Sequence, residues 1–155
     1  LLVPAMNDRM WAHPQVRRNV DHARALGYAV LEPDDGPLAA GEGSGPGRMP
    51  EPETILAHVG RLLEARGALV GRRVVVTAGP TREAIDPVRY VSNHSTGRQG
   101  VALAAAAWRR GADVTLVAGP LQVAPPPGVR VVPVASTADM ADAVGAALDD
   151  ADVLV

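Results

Sequence analysis

The fold is decided by residues 74–100, which read Val-Val-Val-Thr-Ala-Gly-Pro-Thr-Arg-Glu-Ala-Ile-Asp-Pro-Val-Arg-Tyr-Val-Ser-Asn-His-Ser-Thr-Gly-Arg-Gln-Gly. The β-branched run at residues 74–77 predicts a buried strand that ends at Gly79. Thr96 and Gln99 have the spacing of a capping box, which predicts that a helix begins near Thr96. The connection between strand and helix is about three times the usual length of such loops, so we expect it to carry function.

This connection is polar throughout. Its charged, amide and hydroxyl side chains are Arg82, Glu83, Asp86, Arg89, Asn93, His94 and Ser95. A polar loop that leaves a strand and enters a helix N-terminus is where open α/β sheets bind phosphorylated ligands. Gly79 would let the backbone approach a phosphate, and Ser95, Thr96 and Gly97 would offer backbone N–H groups to it. The loop therefore predicts a nucleotide site.

Strand and helix patterns alternate after this loop. The predicted elements are a helix at 97–110, strands at 112–118 and 129–134, a helix at 136–148 and a strand at 152–155. Ser136 and Asp139 have capping-box spacing at the start of the second helix. The alternation predicts an α/β fold with a parallel, Rossmann-like sheet, whose core is built from Val, Leu and Ala.

The first 67 residues follow a different pattern. We expect a strand end at 1–3, a helix capped by Asn7, a helix from His13-Pro14 to Leu26, a short strand at 28–31 and a helix at 50–66. Residues 36–49 are rich in glycine and predict a flexible loop. They lack Gly-x-Gly-x-x-Gly between a strand and a helix, which excludes a dinucleotide fingerprint there.

Composition limits the classes of function. The chain has 155 residues and a net charge of −2, which gives no electrostatic case for nucleic-acid binding. Cysteine is absent, and the basic residues are all arginines, so a Walker-type phosphate loop is excluded. No apolar run approaches the length of a membrane span, and no metal ligand set is predicted within the chain. We expect a cytoplasmic protein.

Residues 77–97 resemble the signature of phosphopantothenate–cysteine ligase, Thr-Ala-Gly-Pro-Thr-Arg-Glu-x-Ile-Asp-Pro-Val-Arg-Tyr-x-Ser-Asn-His-Ser-Thr-Gly. The resemblance implies that CTP and Mg²⁺ activate the carboxylate of 4′-phosphopantothenate, and that the resulting acyl-cytidylate reacts with L-cysteine. It assigns Arg89 and Asn93 to this reaction. Arg89 could bind a phosphate or carboxylate bidentately, and Asn93 could hold the acyl oxygen.

Four other side chains of the loop keep open roles. Arg82, Glu83 and Asp86 either contact the ligand or form an internal ion pair that shapes the loop, and we favour the ion pair. His94 is a weaker candidate for a general base, because its neighbours in the signature already account for the chemistry.

A second resemblance lies at residues 4–11. Their pattern, Pro-x-Met-Asn-x-x-Met-Trp, is similar to the substrate-binding motif of flavin-dependent cysteine decarboxylases, which use FMN. It implies that Asn7 contacts the substrate carboxylate, that Met6 lies beside it, and that Met10 lies near the reacting group. By the same resemblance residues 36–49 form a flap over the substrate, in which Arg48 and Met49 take part.

The flap departs from the decarboxylase family at one position. The family carries a cysteine there that donates a proton when the intermediate is reduced. Counting from Leu38 places Ala40 at that position, and counting back from Met49 places Gly41 there, which implies a one-residue insertion. Neither residue can donate a proton, so the resemblance leaves open whether the reductive step is completed.

The two resemblances together imply the central part of a bifunctional phosphopantothenoylcysteine decarboxylase and phosphopantothenate–cysteine ligase of coenzyme A biosynthesis. Residues 1–67 would be the C-terminal part of a flavodoxin-like flavoprotein domain and residues 68–71 a linker. Residues 72–155 would be the N-terminal part of a Rossmann-like ligase domain. Both chain ends read as cut strands, and we expect the family's catalytic histidine upstream and its lysine-bearing loop downstream. The resemblance also implies a homo-oligomer.

Other functions remain open at this stage. An active ligase could be fused to a degenerate decarboxylase that is kept as an oligomerisation scaffold. The chain could also be a nucleotide- or flavin-binding module without turnover. A dehydrogenase that uses NAD is more distant, because no glycine fingerprint follows the first strand.

Overall fold

A computed structural model describes residues 1–64 and 66–155. These residues divide into two compact units, Leu1–Val59 and Gly60–Val155. None of the described helices has the length and apolarity needed to span a bilayer.

The first unit contains short helices and one hairpin. Its elements are α1 (Asp8–Ala12), α2 (Pro14–Ala25), β1 (Asp34–Pro37), β2 (Ser44–Arg48) and most of α3 (Pro52–Leu63). Asn7 caps α1 as predicted, because its Oδ1 accepts the Arg9 N–H at 2.9 Å. His13 caps α2 in the same way, since its Nδ1 accepts the Gln15 N–H at 3.1 Å.

Two predictions for this unit are wrong. The glycine-rich segment is a hairpin rather than a loop without regular structure, because β1 and β2 pair in antiparallel fashion. The strand expected at residues 28–31 is reduced to a single parallel bridge between Leu2 and Val30. Leu2 supplies the two hydrogen bonds of that bridge, from its N–H to Ala29 O at 2.8 Å and from the Leu31 N–H to its carbonyl at 3.0 Å. The pairing there extends over too few residues to form a strand.

The second unit is a layered α/β structure. Its elements after α3 are β3 (Arg73–Ala78), β4 (Arg82–Ala84), β5 (Tyr90–Ser92), α4 (Arg98–Arg109), β6 (Asp113–Ala118), β7 (Arg130–Pro133), α5 (Thr137–Leu148) and β8 (Val153–Leu154). Four of the strands form a parallel sheet in the order β7-β6-β3-β8. This confirms the predicted parallel, Rossmann-like sheet.

The strand order creates a switch point. The chain starts the sheet at β3, moves outward through β6 to β7, and then returns to the other side of β3 as β8. The direction of progression therefore reverses between β3 and β8. In open α/β sheets, the crevice outside the carboxyl ends of two such strands is where ligands bind.

The core of the second unit follows the predicted composition. Its buried apolar residues come from β3, β6, α4 and the turn between α4 and β6, and are Val74, Val75, Val76, Ala78, Ala104, Trp108, Ala112, Val114, Leu116, Val117 and Ala118. Trp108 adds one large aromatic ring to this aliphatic set. The proline-rich loop before β7 passes directly over the ring, since a Cβ added to Gly128 would lie 2.6 Å from Trp108 Nε1.

The start of α4 differs from the prediction. The expected capping box of Thr96 and Gln99 is wrong, because Gly97 is the N-cap, in a left-handed conformation with φ +78°, and no side chain caps the helix. The capping box expected at α5 is confirmed: the Asp139 N–H donates to Ser136 Oγ at 3.1 Å, and the Ser136 N–H donates to Asp139 Oδ2 at 2.8 Å.

The long connection before α4 also holds regular structure that the sequence pattern did not reveal. Strands β4 and β5 pair in antiparallel fashion from Arg82–Ser92 to Ala84–Tyr90, and they form a two-stranded sheet separate from the main one. We call residues 81–92 the arm. The polar residues predicted to bind ligand are therefore presented by a hairpin and not by an open loop.

Candidate functional site

A cavity of 290 Å³ lies at the carboxyl ends of β3 and β8. Its walls come from the end of β3, the start of α4, α5 and the last residue of the chain; they are Thr77, Ala78, Gly79, Ser95, Gly97, Gln99, Gly100, Leu103, Met140 and Val155. This is the switch point of the sheet. Gly79, Ser95 and Gly97, three of the four residues predicted to contact nucleotide, line the cavity. The fourth, Thr96, is half-buried, and its carbonyl accepts the Gln122 N–H at 3.1 Å.

Glycines shape the entrance to this cavity. Gly97 is left-handed, and a Cβ there would overlap Leu121 Cδ2, so a side chain would meet both backbone strain and a steric clash. Gly100 packs against the strand, since a Cβ there would lie 2.6 Å from Ala78 Cβ. Gly97 and Gly100 thus have the spacing and the packing role of the last two glycines of a dinucleotide fingerprint.

Gly79 is the third glycine of this fingerprint-like arrangement, although it lies far from Gly97 in sequence. It ends β3 with φ +80°, and a Cβ there would lie 3.2 Å from the Gly119 carbonyl carbon. Residues 80–96, which include the arm, separate Gly79 from Gly97. A search for a contiguous glycine motif misses the arrangement for this reason.

The first turn of α4 offers donors to the cavity. The first bond within the helix runs from the Val101 N–H to the Gly97 carbonyl at 3.0 Å. The N–H groups of Arg98, Gln99 and Gly100 therefore precede the helix ladder and have no acceptor in it. Together with the helix dipole, these groups favour an anion at this end.

The backbone donors predicted in the loop before α4 are partly occupied by bonds within the loop. The Ser95 N–H donates to Asn93 Oδ1 at 2.8 Å, and the Gly97 N–H donates to Ser95 Oγ at 3.4 Å. Two of the predicted phosphate donors are therefore engaged by side chains of the loop. The available donors lie further on, at the start of the helix.

The tip of the arm is closed by an ion pair. Arg89 Nε donates to Asp86 Oδ2 at 2.6 Å, while Asp86 Oδ1 accepts the N–H groups of Val88 and Arg89 at 2.9 and 2.7 Å. These hydrogen bonds lower the pKa of Asp86. Asp86 therefore takes part in an internal ion pair, as the sequence favoured. Its partner in that pair is Arg89, one of the two residues predicted to act in the reaction. The Arg89 side chain is 72% exposed, and the pair leaves its two terminal nitrogens open.

The base of the arm is tied to the start of α5. Glu83 Oε1 accepts both the backbone N–H and the hydroxyl of Thr137, at 2.9 and 2.7 Å. The hydroxyls of Thr81 and Thr137 are 3.1 Å apart, and the Arg82 N–H donates to Ala135 O at 2.7 Å. The bonds from Thr137 lower the pKa of Glu83, so the carboxylate is charged at neutral pH.

Arg82 does not pair with Glu83. Its guanidinium lies over the Tyr90 ring, 4.7 Å from the ring centre, on the neighbouring strand of the arm. This is a cross-strand cation–π contact that stabilises the hairpin.

The residues that resemble the decarboxylase motif lie together in the first unit. Met6 pairs with the flap through a hydrogen bond from its N–H to Gly47 O at 2.9 Å. A Cβ on Gly47 would overlap the Met6 carbonyl oxygen, so glycine permits this approach. Asn7 uses Oδ1 for the cap of α1, and its Nδ2 has no acceptor among the described residues.

The other predicted contacts of this unit are on its surface. Met10 and Met49 are exposed, and Arg48 at the end of β2 forms an ion pair with Glu51. At the tip of the hairpin the Leu38 N–H donates to Gly43 O at 3.0 Å, which places Ala40 and Gly41 in an exposed turn. Gly41 has φ +89°, a conformation that disfavours any side chain.

No metal cluster is found in the part of the chain that the structure describes. Within residues 1–64 and 66–155, no group of three or more His, Asp or Glu side chains could hold an ion.

Comparisons with known proteins agree with the resemblances. Residues 69–155 match a family model described as the DNA/pantothenate metabolism flavoprotein C-terminal domain, and residues 1–64 match one described as flavoprotein. The chain is similar to proteins named coenzyme A biosynthesis bifunctional protein CoaBC. Identity is 46% to the Bacillus subtilis protein and 41% to the Escherichia coli K12 protein, with 99% of this chain covered in each case. Identity to the Mycobacterium tuberculosis H37Rv protein is 49%, with 100% of this chain covered. The chain spans 38% of the length of each of these relatives.

Solved structures confirm the fold class. The C-terminal domain of a CoaBC protein is 47% identical and superposes with a TM-score of 0.56, covering 57% of this chain and 45% of that one. A DNA/pantothenate metabolism flavoprotein from Streptococcus pneumoniae is 31% identical with a TM-score of 0.50, covering 54% of this chain and 38% of that one.

Proposed function

The chain belongs to the DNA/pantothenate metabolism flavoprotein C-terminal domain family, and we propose that residues 72–155 supply the nucleotide-binding part of a phosphopantothenate–cysteine ligase in coenzyme A biosynthesis. The observation that carries this proposal is the cavity at the switch point, where Gly79 and Gly97 leave room beside the open amides of α4. Under this proposal residues 1–67 belong to a flavoprotein decarboxylase domain and residues 68–71 link the two.

The nucleotide is CTP in this proposal. The N–H groups of Arg98, Gln99 and Gly100 donate to its phosphates, and the glycines at 79 and 97 let the backbone come close. Ser95 and Thr96 shape the turn before the helix. Mg²⁺ would accompany the nucleotide and offset part of the charge on its phosphates.

We assign the acyl step to residues of the arm and of the loop that follows it. Attack of a carboxylate on the α-phosphate brings two anions together, so a cation must offset their repulsion. The terminal nitrogens of Arg89 are free for this role while Nε stays paired with Asp86. The Asn93 Oδ1 holds the Ser95 amide, which leaves its Nδ2 to donate to the acyl oxygen. L-Cysteine then displaces the cytidylate.

The first unit would bind phosphopantothenoylcysteine. The Asn7 Nδ2 would donate to its carboxylate, and Met6, Met10, Arg48 and Met49 would surround the rest. FMN would supply the two-electron redox chemistry of the decarboxylation.

A second candidate function rests on the tip of the hairpin. Neither Ala40 nor Gly41 carries a proton donor, and the left-handed backbone at Gly41 disfavours any side chain there. This favours an active ligase beside a decarboxylase domain that no longer completes its reaction. The homo-oligomer stays a prediction of the resemblance, and the cytoplasmic location stays a prediction from composition.

One assay separates these alternatives. The intact gene product is incubated with 4′-phosphopantothenate, L-cysteine, CTP and Mg²⁺, and the products are identified by mass spectrometry. Pyrophosphate with 4′-phosphopantetheine would support both activities, whereas accumulated phosphopantothenoylcysteine would support the ligase alone. Absence of pyrophosphate with CTP, and then with ATP, would contradict the ligase. Binding of CTP without any product would favour a module without turnover.

A further inference from the structure

The arm has few attachments to the rest of its unit. Its two strands pair only with each other. Its apolar side chains Ile85, Val88 and Val91 are exposed, Val88 to 86%. A hairpin of this size with so little burial is marginally stable by itself. Its orientation must therefore be set by specific contacts at its base.

Those contacts converge on one short segment. In the described chain, every hydrogen bond that leaves the arm goes to Ala135 or Thr137, at the junction of β7 and α5. Glu83 makes two of them with a single oxygen, Oε1. Its charge also lies in the first turn of α5, where the helix dipole favours an anion.

The same helix forms a wall of the cavity. Met140 lies one turn after Thr137 on α5 and lines the cavity opposite the start of α4. The carboxylate of Glu83 thus joins the arm, which carries Arg89, to α5, which lines the cavity. Misplacement of a reacting group by about 1 Å can slow a reaction by about 100-fold, so this joint can control the rate.

We propose that Glu83 is a positioning residue: its carboxylate fixes the arm to the N-terminus of α5 and so holds Arg89 in place for the acyl step. This inference rests on the proposed ligase function. Glu83 itself does not line the nucleotide cavity. Its loss should therefore slow turnover without weakening the binding of CTP.

The test compares Glu83→Ala with Glu83→Gln in the intact gene product. Glu83→Ala removes the acceptor, and we expect kcat for pyrophosphate release to fall by about 10- to 100-fold while KM for CTP stays within about twofold. Glu83→Gln keeps an oxygen that can accept both bonds from Thr137, so we expect it to restore kcat to within about fivefold of the original. Asp142→Ala is the matched control, because it removes an exposed carboxylate of α5 that makes no hydrogen bond or ion pair with the arm among the described residues.

A second readout does not depend on activity. Hydrogen exchange of the amides at residues 82–92 should speed up in Glu83→Ala and not in Asp142→Ala, while the amides of β3 stay protected. Failure of the original protein to release pyrophosphate would refute the proposed function, and this exchange measurement would then decide alone whether Glu83 holds the arm.

Three results would overturn the inference. An unchanged kcat in Glu83→Ala would show that the arm needs no such joint. An equal loss of kcat in Glu83→Gln and Glu83→Ala would show that the hydrogen bonds from Thr137 are not the reason why the reaction needs Glu83. A parallel rise in KM for CTP together with a lower thermal midpoint would show a general structural role.

Discussion

The two ends of α4 are built in opposite ways. At the C-terminal end, Arg61 Nη1 donates to the carbonyls of Trp108 and Ala112, the latter at 3.0 Å, and Nη2 donates to Gly111 O at 3.3 Å. The guanidinium also lies 4.7 Å from the centre of the Trp108 ring. At the N-terminal end, Gly97 provides no side chain, and Gln99 and Gly100 of the first helical turn line the cavity.

This contrast separates stability from function within one helix. Every α-helix leaves backbone groups without partners at both ends, and something must satisfy them. The protein closes the carbonyl end itself: backbone N–H groups of residues 110–112 donate to the carbonyls of Ala106, Ala107 and Trp108, and Arg61 binds the turn that follows the helix. Among the described residues no side chain caps the amide end, and this is the end at which we propose that the nucleotide binds. Each prediction below tests this difference.

The largest effect is expected at the open end. Gly97→Ala adds a Cβ that overlaps Leu121 Cδ2 and forces alanine into a left-handed conformation, which costs about 1–2 kcal/mol by itself. We expect the affinity for CTP, measured by calorimetry, to fall by about 100-fold because the first turn of α4 must shift. Gly145→Ala is the control, since a Cβ there has nothing within 4 Å. Unchanged binding in Gly97→Ala would mean that the amide end of α4 is not the site.

At the closed end the effect should be on stability alone. Arg61→Ala removes the side-chain donor to three carbonyls, of which Trp108 O keeps the Gly111 N–H, and it removes the contact with the Trp108 ring. We therefore expect the free energy of unfolding to fall by about 2–3 kcal/mol. The affinity for CTP should stay within about twofold. Arg110→Ala is the matched control: it removes an arginine whose side chain reaches only Ala106 O, and should cost less than about 0.5 kcal/mol. Denaturant titration measures the first quantity and calorimetry the second.

The same comparison shows what the sequence could predict. The strands β3 and β6 and the capping box of α5 depend on residues within a few positions of one another, and all three were predicted. The start of α4 was predicted wrongly, because Thr96 and Gln99 have capping spacing but the left-handed Gly97 takes the cap instead. Local pattern gives the type of an element better than its boundary.

The parts of the site that sequence reasoning missed depend on distant contacts. Glu83 and Thr137 are 54 residues apart, and no local pattern joins them. The arm has strands of only three residues, too short for a periodic signal. Arg61 and its acceptors near the end of α4 are likewise far apart in sequence. The resemblance gave the residues of the loop, but only the fold shows which amides remain open.

A smaller effect on the affinity for CTP is expected at Asn93, just before the N-terminal end of α4. Asn93→Asp keeps Oδ1, which accepts the Ser95 N–H at 2.8 Å, but replaces the free amide with a second oxygen and a negative charge. We expect about a tenfold weaker affinity for CTP at low salt, and recovery of part of this loss at about 0.5 M salt, because screening reduces the repulsion. Asp142→Ala, measured in parallel, should show no such dependence on salt. A loss that salt does not change would indicate that the amide donor matters more than the added charge.

The smallest effect concerns the start of α5, a helix end that is closed by its own residues. Hydrogen bonds from Ser136 lower the pKa of Asp139 below its ordinary value of 3.8, so its charged form is stabilised by folding. The sign follows from this: the contribution is present above pH 3.8 and is lost as the pH falls through the lower pKa of the folded protein. Asp139→Asn should therefore reduce the steepness with which the free energy of unfolding declines between about pH 4 and pH 2. Denaturant titrations across that range measure it, with Asp142→Asn as the control on the same helix. The N-terminal end of α4 has no such carboxylate cap. Bound CTP should therefore protect this end against acid only because it binds the folded state and not the unfolded one. An equal change of slope in both variants would show that the acid dependence arises from net charge and not from the cap.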